Sequence, residues 1–194
     1  MIAEALRRPL FYCLFLVSSG LCWLELGHTP TMVALACVFT FGLSLATTVD
    51  FKYMILPDSV TLPLLATGLF APQLLFGQGW FITWLGAAVG FGFFVGLSWG
   101  FYKLRGYPGL GFGDVKFLAM LGAWVSVINI PLILLIAAFS ALPMFMAHKL
   151  IFKPNEPTPL PFGPFLALGG FISFLYADVI WSFIIHLRLY VLGG

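Results

Sequence analysis

The chain has 194 residues, 61% of them hydrophobic and 8% charged, with a mean hydropathy of +1.07. Soluble domains carry about 25% charged residues, so a soluble core is excluded and an integral membrane protein is expected. The net charge of +2 gives no reason to expect a nucleic-acid partner; where the basic residues stand is the informative question.

A spanning helix needs about 20 largely apolar residues. In chain order, spans are predicted near 9–27, 31–50, 58–77, 80–103, 113–126, 128–150 and 163–187. Arg7-Arg8 precedes the first, but no small-residue cleavage site follows and further spans come at once, which argues against a removable signal peptide. Gly27-His28-Thr29-Pro30, Gly77-Gln78-Gly79 and Arg105-Gly106-Tyr107-Pro108 read as turns, and KPNEPTPLP (153–161) is too rich in proline for a helix. The fifth segment is short and is expected to be tilted, kinked or only partly membrane-crossing. The expected fold is therefore an all-α polytopic membrane protein, a single membrane-embedded domain over 1–194. It has about seven spans, or alternatively six and a half-helix. Cys13, Cys22 and Cys37 lie in apolar runs without a CxxC pair or a His/Cys cluster, so they read as free thiols, and neither a disulfide framework nor a metal site is expected.

When span ends are numbered alternately, Arg7, Arg8, Lys52, Lys103, Arg105, Lys116, Lys149 and Lys153 fall on one side and only Arg188 on the other. By the positive-inside rule, the N-terminus and the loops 51–57, 104–113 and 151–162 are cytoplasmic. Of the seven acidic residues, Asp50, Asp58 and Asp114 collect at the cytoplasmic ends of spans two, three and five.

A carboxylate within a span costs about 2.5–3.5 kcal/mol at a helix centre and less toward the interface. If the ends carrying Asp50 and Asp114 meet, two like charges share one low-dielectric site and hold a single proton between them. Such a pair can activate a water with one member and protonate a substrate carbonyl with the other, with no cofactor, metal or covalent intermediate. Gly111 and Gly113 allow close approach of a substrate backbone or a partner helix. A dinucleotide-binding loop is excluded at Gly109, Gly111 and Gly113, because no strand precedes them and no βαβ unit exists.

Each carboxylate also has a structural reading. Asp114 is placed to be an N-cap. Asp50 is harder to explain structurally, since a helix C-terminus disfavours an anion. Asp58, after Pro57, reads mainly as the N-cap of span three, with a supporting position beside the pair as the alternative. Lys116, two residues from Asp114, points elsewhere on a helix and is expected to snorkel to lipid phosphate. Gly86/Gly90 and Gly92/Gly96/Gly100 suggest close helix packing. Asp178 reads as interfacial, and His28, His148 and His186 receive no role.

Two stretches taken together, VDFKYMILPDSVTLPLL (49–65) and GLGFGDVKFLAMLGAW (109–124), resemble the bacterial type IV prepilin peptidases, membrane aspartic proteases with a GxGD motif. PLPFGPFLALGG (159–170) resembles the family's last-helix stretch, and RRPL (7–10) resembles its approach to an earlier span. The resemblance implies that Asp50 and Asp114 are the catalytic aspartates, with Gly111, Gly113, Asp58 and Lys116 as the supporting motif. It implies cleavage of the positively charged leader of prepilins or pseudopilins, after a glycine and just before their hydrophobic helix, on the cytoplasmic side of the bacterial inner membrane. The implied context is type IV pilus assembly or type II secretion. Longer members carry a cytoplasmic domain with paired CxxC motifs and also N-methylate the product. Here three residues separate spans one and two and no CxxC occurs, so a short form is expected and the resemblance does not carry methyltransferase activity over. The competing reading is a small proton- or cation-coupled transporter, which inverted repeats would favour; none is seen. The other rivals are a GxGD protease of broader substrate range and an inactive assembly factor.

Overall fold

Apolar segments that must satisfy their own backbone in lipid have few options besides the α-helix, and helices account for all regular structure among the described residues. The computed structural model describes residues 1–26, 29–106, 111–151 and 161–192, with the side chains of all but 148–151 and 191–192. Gly27-His28, Tyr107 to Leu110 (with Gly109) and most of the 153–161 segment lie outside the described residues, as do Lys153, Glu156 and the side chains of His148 and Lys149.

A short helix α1 (Ile2–Ala5) leads into α2 (Pro9–Leu26) and α3 (Pro30–Tyr53), which is opened by a Thr29 cap whose Oγ1 accepts from the Met32 N–H. Then follow α4 (Asp58–Gly68), α5 (Ala71–Phe76), α6 (Trp80–Arg105) and α7 (Phe112–Val125). A 3-10 turn at Val127–Asn129 leads into α8 (Ile130–Ile151), and α9 (Gly163–Leu192) closes the chain. Among the described residues five of these, α2, α3, α6, α8 with its 3-10 lead-in, and α9, are long and apolar enough to cross a membrane.

The remaining two predicted segments take shorter forms. The 58–77 segment is split between α4 and α5, because Pro72 has no N–H to offer the Gly68 carbonyl and the chain turns at Leu69-Phe70. Helix α7, at 14 residues, is about 21 Å long, less than the roughly 30 Å hydrocarbon thickness. Its position explains why that suffices. Val115 and every residue from Phe117 to Val125 are buried, so α7 is wrapped by protein on α4, α6 and α9 and need not match the lipid. The predicted second span ended at Asp50, whereas α3 runs on to Tyr53 before Met54, in the left-handed region at φ 52°, ends it.

Close backbone contact fastens α7 to α6. A Cβ at Gly86 would stand 2.1 Å from the Gly122 carbonyl oxygen, and one at Gly90 2.6 Å from that of Leu118. Gly92, Gly96 and Gly100 have nothing within 4 Å of a Cβ, so the expected small-residue packing holds for the first pair of glycines and not for the second set. On the opposite face, Trp124 stacks on Phe39 (ring centroids 4.7 Å apart) and donates its indole N–H to the Leu64 carbonyl at 2.7 Å. This core holds the start of α7 at the same end of the bundle as the end of α3.

Candidate active site

The end of α3 is where the first carboxylate lies. Asp50 is buried, 5% exposed, in the last turn, where its own helix dipole opposes an anion. A second helix supplies the compensation. The free N–H of Gly163, first residue of α9, donates to Asp50 Oδ2 at 3.0 Å, and a helix N-terminus favours negative charge. Glycine is required there, since a Cβ would come within 2.7 Å of that oxygen.

After Met54 reverses the chain, Ile55, Leu56 and Pro57 line the approach to α4. Leu56 is the spacer between the other two helix starts. A Cβ at Gly113 would lie 3.2 Å from Leu56 Cβ, and one at Gly163 would lie 3.3 Å from Leu56 Cδ2. The residue after Gly113 is Asp114, so packing against one leucine carries Asp114 toward the Asp50–Gly163 pair.

Asp114 is partly exposed and sits in the first turn of α7, whose N-cap is Gly111. No side chain caps this helix, so the expected capping role for Asp114 is corrected: the carboxylate stays at the positive end of the helix but faces the cleft. The same correction applies to Asp58. Pro57 occupies the N-cap position of α4, and Asp58, one residue later, pairs with Lys116 Nζ at 2.5 Å. Lys116 therefore ties the start of α7 to the start of α4. Snorkelling to lipid phosphate does not describe it.

All six residues singled out from the sequence, Asp50, Asp58, Gly111, Gly113, Asp114 and Lys116, line one open cleft of about 830 Å³. Gly163, Leu56 and Phe162 belong to its frame and were not singled out, although PLPFGP was the signal at hand. A proline-rich stretch ending in Gly-Pro, at the start of a span, marks a helix N-terminus whose first N–H is free. The N-terminal segment reaches the same end. Glu4 bonds Lys52 and Tyr53, and Met1 lines the cleft. Asp178 lies far from this site, in a polar pocket with Gln78 and Asn129. Cys22 is buried, Cys37 half-buried and Cys13 exposed.

Comparison with known proteins bears on this arrangement. The model of the type IV leader peptidase family matches residues 37–146, which include Asp50, Asp58 and Asp114. A leader peptidase, HopD, of Escherichia coli is 42% identical over 124 residues, covering 63% of this chain and 80% of that protein. A prepilin leader peptidase/N-methyltransferase of Aeromonas hydrophila is 37% identical over 149 residues, 75% of this chain and 50% of its own length. The similar protein of Pseudomonas aeruginosa is 32% identical over 174 residues, 90% of this chain and 60% of its own. The chain thus spans about half the length of the Aeromonas relative. No solved structure matches it. With the family's matched region running through α3, α4 and α7, the helices that bring the three aspartates to one cleft, the chain belongs to the type IV leader peptidase family.

Proposed function

We propose that the protein is an aspartic endopeptidase of the bacterial cytoplasmic membrane. It removes the leader peptide from type IV prepilins or pseudopilins, with Asp50 and Asp114 as the acting pair. The observation that carries this proposal is that two carboxylates on different helices line one cleft, the first of them anchored by the Gly163 N–H. One carboxylate takes a proton from water as the oxygen attacks the scissile carbonyl carbon. The other, holding the shared proton, gives it to the carbonyl oxygen, forming a neutral tetrahedral diol. The first carboxylate then returns its proton to the amide nitrogen while the second takes one back from a diol hydroxyl, so the C–N bond breaks, the leader's carboxyl end and the new amino terminus are released, and the pair again holds one proton. Asp58 and Lys116 set the spacing of α4 and α7 rather than exchanging protons.

The charge distribution supports a cytoplasmic cleft. Lys52, Lys103 and Arg105 stand at the helix ends that share its side, and Arg188 stands at the far end of α9. Substrate and lipid would then be the partners, the basic leader in the cytoplasm and the apolar helix in the bilayer.

The test is cleavage of a candidate prepilin by the purified protein in lipid, with product mass read for both leader loss and N-methylation. Asp50→Asn and Asp114→Asn should each reduce turnover at least about a thousandfold, as loss of a member of an acting pair does, while the protein still inserts. Wild-type rates in either variant would remove that aspartate from the pair.

A further inference from the structure

A second depression adjoins the cleft. Between α3 and α4, with Phe15 of α2 on one wall, runs an apolar groove of about 430 Å³. Cys37, Phe41 and Leu45 of α3 face Ser59, Pro63 and Thr67 of α4 across it. On each helix the contributing residues recur every four positions, so each presents one continuous stripe along its axis. Ser59 lines both the groove and the cleft, so the two adjoin there.

Depth and chemistry limit what fits there. Cys37 precedes Asp50 by 13 positions on the same helix, which places it about 20 Å below the cleft at 1.5 Å per residue. The groove therefore descends through about two-thirds of a 30 Å hydrocarbon layer. A polypeptide lying in it at that depth must be apolar and must pair its own backbone, which is to say helical. At the top of the groove, Pro63 has no N–H for the Ser59 carbonyl, four residues earlier in α4. That leaves one carbonyl of α4 without its usual intrahelical donor beside the residue that the groove shares with the cleft.

We propose that this groove seats the apolar helix of the substrate, the segment that follows the scissile bond, so that the helix is held against α3 and α4 while its N-terminal end reaches the Asp50–Asp114 cleft. The inference rests on the leader-peptidase function proposed above. In it, the groove supplies binding and register, and the cleft supplies the chemistry.

The test uses the full chain in lipid vesicles and a synthetic probe with a basic leader followed by an apolar helix of about 20 residues. A benzophenone residue is placed singly along the probe helix, and its attachment points on uncut probe are mapped in the Asp114→Asn background. A benzophenone about 13 residues past the scissile bond should attach near Cys37 and Thr67, and one nearer the bond should attach near Leu45 and Ser59, with yields repeating every three to four positions. In the active protein, Thr67→Trp, which fills the groove from an exposed position, should raise KM for this probe about tenfold with kcat unchanged, since it removes binding common to ground and transition states. The same variant should leave unchanged the cleavage of a probe truncated to its leader and the first few residues beyond the bond.

Attachment without helical periodicity, attachment only to other helices, or equal slowing of both probes by Thr67→Trp would overturn the groove assignment. The groove would then be a lipid-filled seam. If the wild-type protein cleaves neither probe, the leader-peptidase function fails instead. The attachment map, read on uncut probe, still decides the groove separately.

Discussion

The placement of Asp50 depends on a backbone donor 113 positions away. Burial of a carboxylate at the end of its own helix is unfavourable, and the Gly163 N–H at the start of α9 is the group that offsets it. A methyl group at Gly163 meets both Asp50 Oδ2 at 2.7 Å and Leu56 Cδ2 at 3.3 Å, so Gly163→Ala must shift the carboxylate or the leucine spacer. Leader cleavage should fall about tenfold or more, the scale expected when a reacting group is misplaced, with helix content by circular dichroism unchanged. Gly92→Ala, with nothing within 4 Å of the new carbon, should keep the parental rate. The Asp58–Lys116 pair makes a different expectation. Asp58 is more than half exposed, so breaking the pair should change stability by less than about 1 kcal/mol and act mainly on the spacing of α4 and α7. Activity lost in Asp58→Lys should return in part when Lys116→Asp is added; a double variant as inactive as the single one would show that the pair's geometry is not what matters.

At the level of elements, the site depends on how tightly α7 is clasped. The α6–α7 contact is backbone against backbone, and the Gly86 and Gly122 positions each exclude a side chain, a Cβ at Gly122 falling 2.2 Å from the Gly86 carbonyl oxygen. Gly86→Ala should therefore lower resistance to unfolding in mixed detergent by about 1–3 kcal/mol, the usual cost of overpacking. Gly96→Ala on the same helix should have no such effect, its Cβ meeting open space. On the other side of α7, the Trp124 indole hydrogen bond to the Leu64 carbonyl and its stacking on Phe39 fasten α7 to α4 and α3. A short helix held on three sides presents its first turn at a fixed depth. That is what the role proposed for Asp114 needs.

For the molecule as a whole, three contacts gather the helix ends around the cleft: Glu4 with Lys52, Asp58 with Lys116, and Asp50 with Gly163. Lys52 and Lys116 stand at this end, and Arg188 near the distant end of α9. Single cysteines introduced at position 52 or 105 of a chain whose native cysteines are replaced should react with a membrane-impermeant maleimide only after the cells are opened. A cysteine at position 188 should react in intact cells. The opposite labelling pattern would put the cleft on the outer face, away from the basic leaders it is proposed to receive.

Composition alone made this a membrane protein, because so apolar a chain has no soluble core to build. The positions of nine basic residues oriented the proposed topology, and the spacing of the aspartates together with the GFGD motif marked the candidate site, since those features are local and read directly from the chain. What the local signals misjudged were roles that depend on a partner. Asp114 and Asp58 looked like helix caps because each stands near a helix start, yet the fold turns one toward the cleft and joins the other to Lys116. The length of α7 ran against a simple span count because hydropathy measures fit to lipid, and α7 is surrounded by protein. Asp50 was the reverse case: its poor position in its own helix was legible, but the Gly163 N–H that answers it comes from a helix far along the chain, and only tertiary packing brings the two within 3.0 Å.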